Sequence, residues 1–216
     1  MALAGRWGMS TDFLTLMQWL SPSFPTGGFA YSHGLEMAMV DGARNTAAVQ
    51  GWTQDVLRHG AGRSDGILLA HARRGGADQA DAIARAMAPS RERLEETLAQ
   101  GAAFARTICA ITGRDLPARA LPVAVGEASQ TLALPEDVVI GCYLHAFAAN
   151  LLACATRFVP LGQTEAQGAL AALHPVIAAI AADCARASLD EIGSAALGAD
   201  LAAMRHETLD VRIFKT

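Results

Sequence analysis

Lysine is nearly missing from this chain: Lys215 is the only one. A P-loop needs Gly-x-x-x-x-Gly-Lys-Ser/Thr, so that backbone amides cradle phosphate while the lysine reaches the terminal phosphates. No such run occurs, which excludes a P-loop NTPase. Also absent are Gly-x-Gly-x-x-Gly behind a strand, Gly-x-Ser-x-Gly and His-Glu-x-x-His, so dinucleotide binding, the usual hydrolase elbow and a zincin site lack support. Charge is sparse, at 18% with a net of −4, and the densest basic spots are only Arg73-Arg74 and Arg91/Arg93. That leaves no positive excess for phosphates and argues against a nucleic-acid partner.

No Cys-x-x-Cys pair is present, and Cys109, Cys142, Cys154 and Cys184 all fall in apolar helical contexts. They read as small buried hydrophobes in a reducing compartment, which makes the cytoplasm the expected location. Residues 1–20 lack a basic start followed by a continuous apolar core, so no secretion signal is expected, and Met9 offers an alternative start.

What the chain has in quantity is small apolar residues. It is 52% hydrophobic but only 6% aromatic, a balance that suits close helix-on-helix packing. With 216 residues and little strand patterning, the expectation is one all-α domain, a helical bundle of about nine or ten helices around a central apolar one. Residues 11–207 would form this domain, residues 1–10 a flexible N-terminal extension and residues 208–216 a tail that docks or binds a partner.

Punctuation places the helices. The first starts after Thr11 or Asp12 and stops at Ser21-Pro22; a second spans about Tyr31 to Val40; a third opens at Thr46 and buries Val49, Trp52 and Val56. Ser64-Asp65 would cap a short helix ending at Gly75-Gly76, with Asp78 capping the next. Ser90 opens a longer helix whose apolar stripe is Leu94, Leu98, Gly101, Phe104, Ile108 and Ile111, with charges gathered in its first turns.

The run Val138 to Ala155 approaches bilayer-spanning length, but His145 and Asn150 would need internal partners in hydrocarbon, which favours the centre of a soluble bundle. Pro135 suits its start, Thr164 with Gln167 reads as a capping box for the next helix, and His174-Pro175 predicts a kink there. The last helix would hold Leu201 to Glu207.

Between the first two helices lies SPSFPTGGFAYSHGLE, residues 21–36. Ser32 and His33 resemble a nucleophile and base, yet neighbours on a helix point roughly a hundred degrees apart and triads gather distant residues. A helix start with Ser32 as cap and His33 at the surface or bonded to backbone is the simpler reading. His33/Glu36, Cys142/His145 and His206/Glu207 each bring potential metal ligands near one another, but no second pair completes any of them to the three or four that a zinc site needs.

Three segments resist generic readings: LMQWLSPSFPTGGFAYSHGLEMAM, RFVPLGQTEAQ beginning at Arg157, and RHETLDVRIFKT. In this order and at these separations the chain resembles the UreF family of urease accessory proteins. The resemblance spans nearly the whole chain, is weak from about Gly60 to Leu134, is absent before Thr11, and differs at Lys215-Thr216, where Arg-Ser is common.

The resemblance implies a non-catalytic, homodimeric assembly factor that works with UreD (also called UreH) and the GTPase UreG to install nickel in apo-urease. It would bind no cofactor tightly, with nickel and GTP handled by the complex, and would have no nucleic-acid or membrane partner. A role in modulating the GTPase is also implied. On this resemblance the partner-facing candidates are Phe24, Phe29, Tyr31, Ser32, Glu36, Gln163, His206, Glu207, Arg212 and Phe214. A small hydrolase using Ser32/His33 and a metal-binding bundle using His33, Cys142, His145 or His206 are the alternatives.

Leu209, Val211, Ile213 and Phe214 are apolar although they lie where chains usually fray. Two destinations stay open for this tail: a partner, with Phe214 as anchor and Arg212 as clamp, or the protein's own core.

Overall fold

In the computed structural model, which describes residues 10–216, the chain folds as ten α-helices, with no strand among the described residues. The extension assigned to residues 1–10 lies outside the described residues except for Ser10, whose Oγ caps the first helix by accepting the Phe13 N–H at 3.2 Å. The helices are α1 (Thr11–Trp19), α2 (Leu35–Val40), α3 (Thr46–His59), α4 (Ala61–His71), α5 (Ala77–Ala86), α6 (Arg91–Thr112), α7 (Leu121–Ala128), α8 (Glu136–Phe158), α9 (Gln163–Cys184) and α10 (Leu197–His206). Asn45 caps α3 and Ser90 caps α6 through their side chains, at 2.9 and 3.2 Å. Gly113, at φ 72°, ends α6 in the left-handed conformation that spares a glycine the Cβ clash.

Several boundaries differ from expectation. α2 begins at Leu35 rather than near Tyr31, because His33 and Gly34 adopt φ of 60° and 80° and hold the chain out of the helix. α4 already begins at Ala61, so Ser64 and Asp65 lie inside it instead of capping it. Glu165, not Gln167, supplies the capping carboxylate of α9: it accepts the Gly162 N–H at 3.0 Å, and Thr164 is exposed inside the first turn. The same helix runs through Pro175 to Cys184. α10 starts at Leu197, one turn before the expected Leu201.

α8 is the central helix. Its Val139, Ile140, Leu144, Ala148 and Leu151 are fully buried and meet Leu173, Ala169 and Cys184 of α9 in one large core. Alanines at the contact let the two backbones approach closely, which maximises dispersion contacts at little cost in side-chain entropy. Both helices are long and apolar enough to cross a membrane by length and composition, and about half of each apolar window, 50% and 44%, is buried inside the fold. A satellite core of Leu68, Ala72, Ala77, Ala80, Ala120 and Val123 joins α4, α5 and α7.

α6 departs most from its pattern. Leu94 and Leu98 are only half-buried and Ile111 is exposed, whereas Glu92, Arg93, Glu96 and Gln100 are buried. Phe104 does fill the core, against the edge of Trp19 at 6.1 Å and beside Phe24 at 5.4 Å, tying the loop after α1 to α6. The polar first half of α6 is therefore pressed against something other than the apolar core.

Candidate partner-binding site

Two parts of the chain far apart in sequence meet over the polar half of α6: the loop leading into α2, and the end of α10 with the tail that follows it. Gly27, at φ 76°, reverses the loop, and Gly34, at φ 80°, passes close beneath α10. A Cβ at Gly34 would stand 3.0 Å from the backbone nitrogen of Ala203, so both the dihedral and the contact call for glycine.

The tail docks on the loop as an extended strap. The Ser32 N–H donates to the Thr216 carbonyl at 2.7 Å, and the Lys215 N–H donates to the Ala30 carbonyl at 2.8 Å. Glu36 receives the N–H groups of Ile213 and Phe214 on its two carboxylate oxygens, at 2.7 and 3.0 Å. Thr216 Oγ1 donates to Glu96 at 2.6 Å. The Phe214 ring is buried, with the Arg157 guanidinium 4.6 Å from its centroid, and Lys215 Nζ stands 5.7 Å from the Tyr31 ring.

Arg157 opens the second of the three unusual segments, so one residue from each lies within this cluster. Of the two destinations open for the tail, the chain's own core is the one occupied in this structure.

Beneath the strap lies a buried ionic network. His206 Nδ1 is 2.7 Å from Glu92 and Nε2 is 3.1 Å from Glu36, so both ring nitrogens face carboxylate oxygens. Arg212 Nη1 donates to the other Glu92 oxygen at 2.5 Å, and Glu207 accepts the Glu92 N–H at 3.2 Å. Arg93 and Gln100 both donate to Glu96. Burial opposes ionisation of Glu96, but the Arg93 guanidinium beside it prevails and holds the carboxyl down at about 2.

His33 is the contrasting case. Its burial, reinforced by the Arg93 charge, pushes the imidazole down to about 4. Its Nδ1 has no hydrogen-bond partner, since Glu96 at 3.8 Å is beyond bonding range, and its ring stands edge-on to Phe147 at 4.8 Å.

The expected helix-start reading is corrected here: His33 is 6% exposed and neutral rather than at the surface. Gly34 rather than Ser32 is the N-cap of α2, although the Ser32 hydroxyl accepts the Glu36 N–H of the first turn at 3.1 Å while donating to the Thr216 carbonyl. Both hydrogen-bonding capacities of Ser32 are thus engaged within the fold and its exposure is 0%, so the hydrolase alternative has no accessible nucleophile.

The sequence-derived candidates divide by exposure. Phe24, Ser32, Glu36, His206 and Phe214 are buried; Tyr31 and Glu207 are half-buried; Phe29, Gln163 and Arg212 are exposed. Gln163 stands apart, at the start of α9, donating to Thr156 Oγ1 at 3.3 Å. Cys142 and His145 lie on α8, and the facing pair expected of His33 and Glu36 is split, one turning to Phe147 and the other to His206. Among the described residues, no three His, Cys, Asp or Glu side chains group as metal ligands.

Sequence reasoning missed Glu92, Arg93, Glu96 and Thr216. The available signal was the charge cluster at the start of α6, spaced three and four apart on one face. Above the network, Phe29 in the loop is 68% exposed, and in the tail Val211 is 82% and Ile213 60% exposed on either side of the exposed Arg212. Exposed apolar and cationic side chains of this kind are suited to contact with another protein.

Known proteins match the chain over nearly its whole length. A sequence profile of the family described as UreF matches residues 43–174. A protein from Cereibacter sphaeroides named urease accessory protein UreF is 64% identical over 210 residues, covering 96% of this chain and 100% of the relative. Proteins of the same name from Roseobacter denitrificans and a Jannaschia species are 51% and 50% identical, over 96% and 99% of this chain and 96% and 97% of their own lengths.

Proposed function

The chain belongs to the UreF family of urease accessory proteins, and from that premise we propose that it is an assembly factor joining UreD/UreH and the GTPase UreG in the complex that inserts nickel into apo-urease. Family members are accessory proteins rather than enzymes, and the GTP chemistry is assigned to the partner because this sequence has no P-loop. The protein works as a homodimer in the cytoplasm, modulates GTP hydrolysis by UreG, and has no membrane or nucleic-acid partner. Identity that runs nearly end to end with urease accessory proteins is the observation that carries this reading.

The strapped loop supplies the surface for UreD. Phe29, Val211 and Ile213 present apolar area, and Arg212 adds a directional charge. Buried members of the cluster act from beneath by fixing the strap.

Deleting this gene alone from a urease operon tests the role. The expected product is inactive, nickel-poor urease, with activity restored by the gene in trans. Active, nickel-loaded urease in the deletion strain would overturn it. Mixing the purified protein with UreD and UreG should give one co-eluting complex.

A further inference from the structure

His145 on α8 and His174 on α9 are exposed, and their ring centroids stand 5.4 Å apart with the planes inclined at 45°. The two helices that carry them form the main packed pair of the core, so the spacing is set by buried residues such as Leu144 and Leu173, immediately next to each histidine. We propose that His145 and His174 form a surface chelate for a divalent transition-metal ion of the zinc, nickel and copper class.

The spacing suits one ion. A metal about 2.0–2.1 Å from one nitrogen of each ring, at a roughly tetrahedral N–metal–N angle, places ring centroids about 5 Å apart. The donor set selects the class of metal: imidazole nitrogens suit zinc, copper and nickel, whereas magnesium and calcium require oxygen ligands. No Asp or Glu lies between Val138 and Ala155 on α8 or between Ala166 and Ala182 on α9.

Cys142 stands one turn before His145, but burial pushes its thiol up, away from the thiolate that binds metal. Partial burial, and then the neighbouring His174, hold the His145 imidazole below its ordinary value.

Two protein ligands leave the remaining coordination positions to water. The ion therefore exchanges readily instead of being stored, unlike one in a closed four-ligand structural site. This inference rests on the α8–α9 geometry and is independent of the partners proposed above.

The test is calorimetric titration of the full-length protein with Zn(II) and, separately, Ni(II) at neutral pH. About one ion per chain should bind, and His145→Ala or His174→Ala should each weaken it by about tenfold or more, because each imidazole binds at the effective concentration set by the other. His59→Ala, at a separate exposed histidine, should leave the isotherm unchanged. On the unmodified protein, paramagnetic Ni(II) should broaden the ring signals of His145 and His174 before any others, a readout that needs no variant to fold. Unchanged titration of the double variant, or broadening that first strikes other histidines, would overturn the proposal.

Discussion

Ser32 and Thr216 stand 184 positions apart and are joined by a backbone hydrogen bond of 2.7 Å, with a second bond from the Ser32 hydroxyl to the same carbonyl. This contact unites the loop before α2 with the tail, so the two segments rise and fall together in stability.

Phe214 is the apolar anchor of that union. Phe214→Ala should cost about 3 kcal/mol, the low end for a buried phenylalanine, because the cavity beside Arg157 cannot close fully. Val211→Ala, at an exposed position of the same tail, should change stability by less than about 0.5 kcal/mol while weakening co-elution with UreD. Urea denaturation and size-exclusion chromatography of the two variants separate anchoring from binding; equal stability losses would contradict the division.

Glu36 is the hub on the opposite side. Glu36→Ala removes the acceptor for two tail N–H groups and one of the two carboxylates facing His206, leaving buried polar groups unpaired. A loss of about 3–5 kcal/mol is expected. Glu36→Gln keeps the shape and one acceptor and should lose less. Hydrogen exchange at Ile213 and Phe214 should accelerate in both variants, more in the alanine one.

Acid should weaken the fold through His33. Its value in the fold is about 4 against an ordinary 6.5, so between these values the unfolded chain binds the extra proton. The stability contributed by neutral His33 is fully present above about pH 6.5 and is lost as pH falls toward 4. His33→Asn, which tolerates φ of 60°, should flatten this part of the stability profile. An unchanged slope in thermal melts from pH 7 to 4 would rule the assignment out.

Asp65 works in the reverse sense. Burial pushes its carboxyl up from 3.8 to about 6, although the Tyr143 hydroxyl donates to it at 2.7 Å and opposes the shift. The folded chain then holds the extra proton between those values, and the stability this contributes at low pH is lost as pH rises through 6. Asp65→Asn retains an acceptor for Tyr143 and cannot ionise. It should gain on the parent protein as pH rises from about 4 to 6 and hold a constant advantage above about 7. A stability difference that does not vary with pH would contradict this.

Much of the helical framework could be read locally. Asn45 and Ser90 cap helices where a short polar side chain precedes an apolar period, Gly113 closes α6, and α8 is apolar on most faces because it lies at the centre. Boundaries failed where long-range contact overrode local preference. At Tyr31 to Gly34 the positive φ of His33 and Gly34 keeps the chain out of the helix, and the tail bonds the backbone of Ser32 from 184 residues away.

Residues of the candidate site were legible as types in three unusual segments, but their depth was not. Glu92, Arg93 and Glu96 look like a solvated helix start, since isolated charges prefer water; their burial becomes possible only when His206, Arg212 and Thr216 arrive from the other end of the chain as partners.

Composition and short-range pattern settled that this chain is helical, has no P-loop and carries its unusual chemistry in three segments. That much depends on interactions within a few residues, which travel with the sequence wherever it sits. Which side chains face inward and which remain for a partner depended on the closure of Ser32 against Thr216, because burying charge is tolerable only among partners that folding itself brings together.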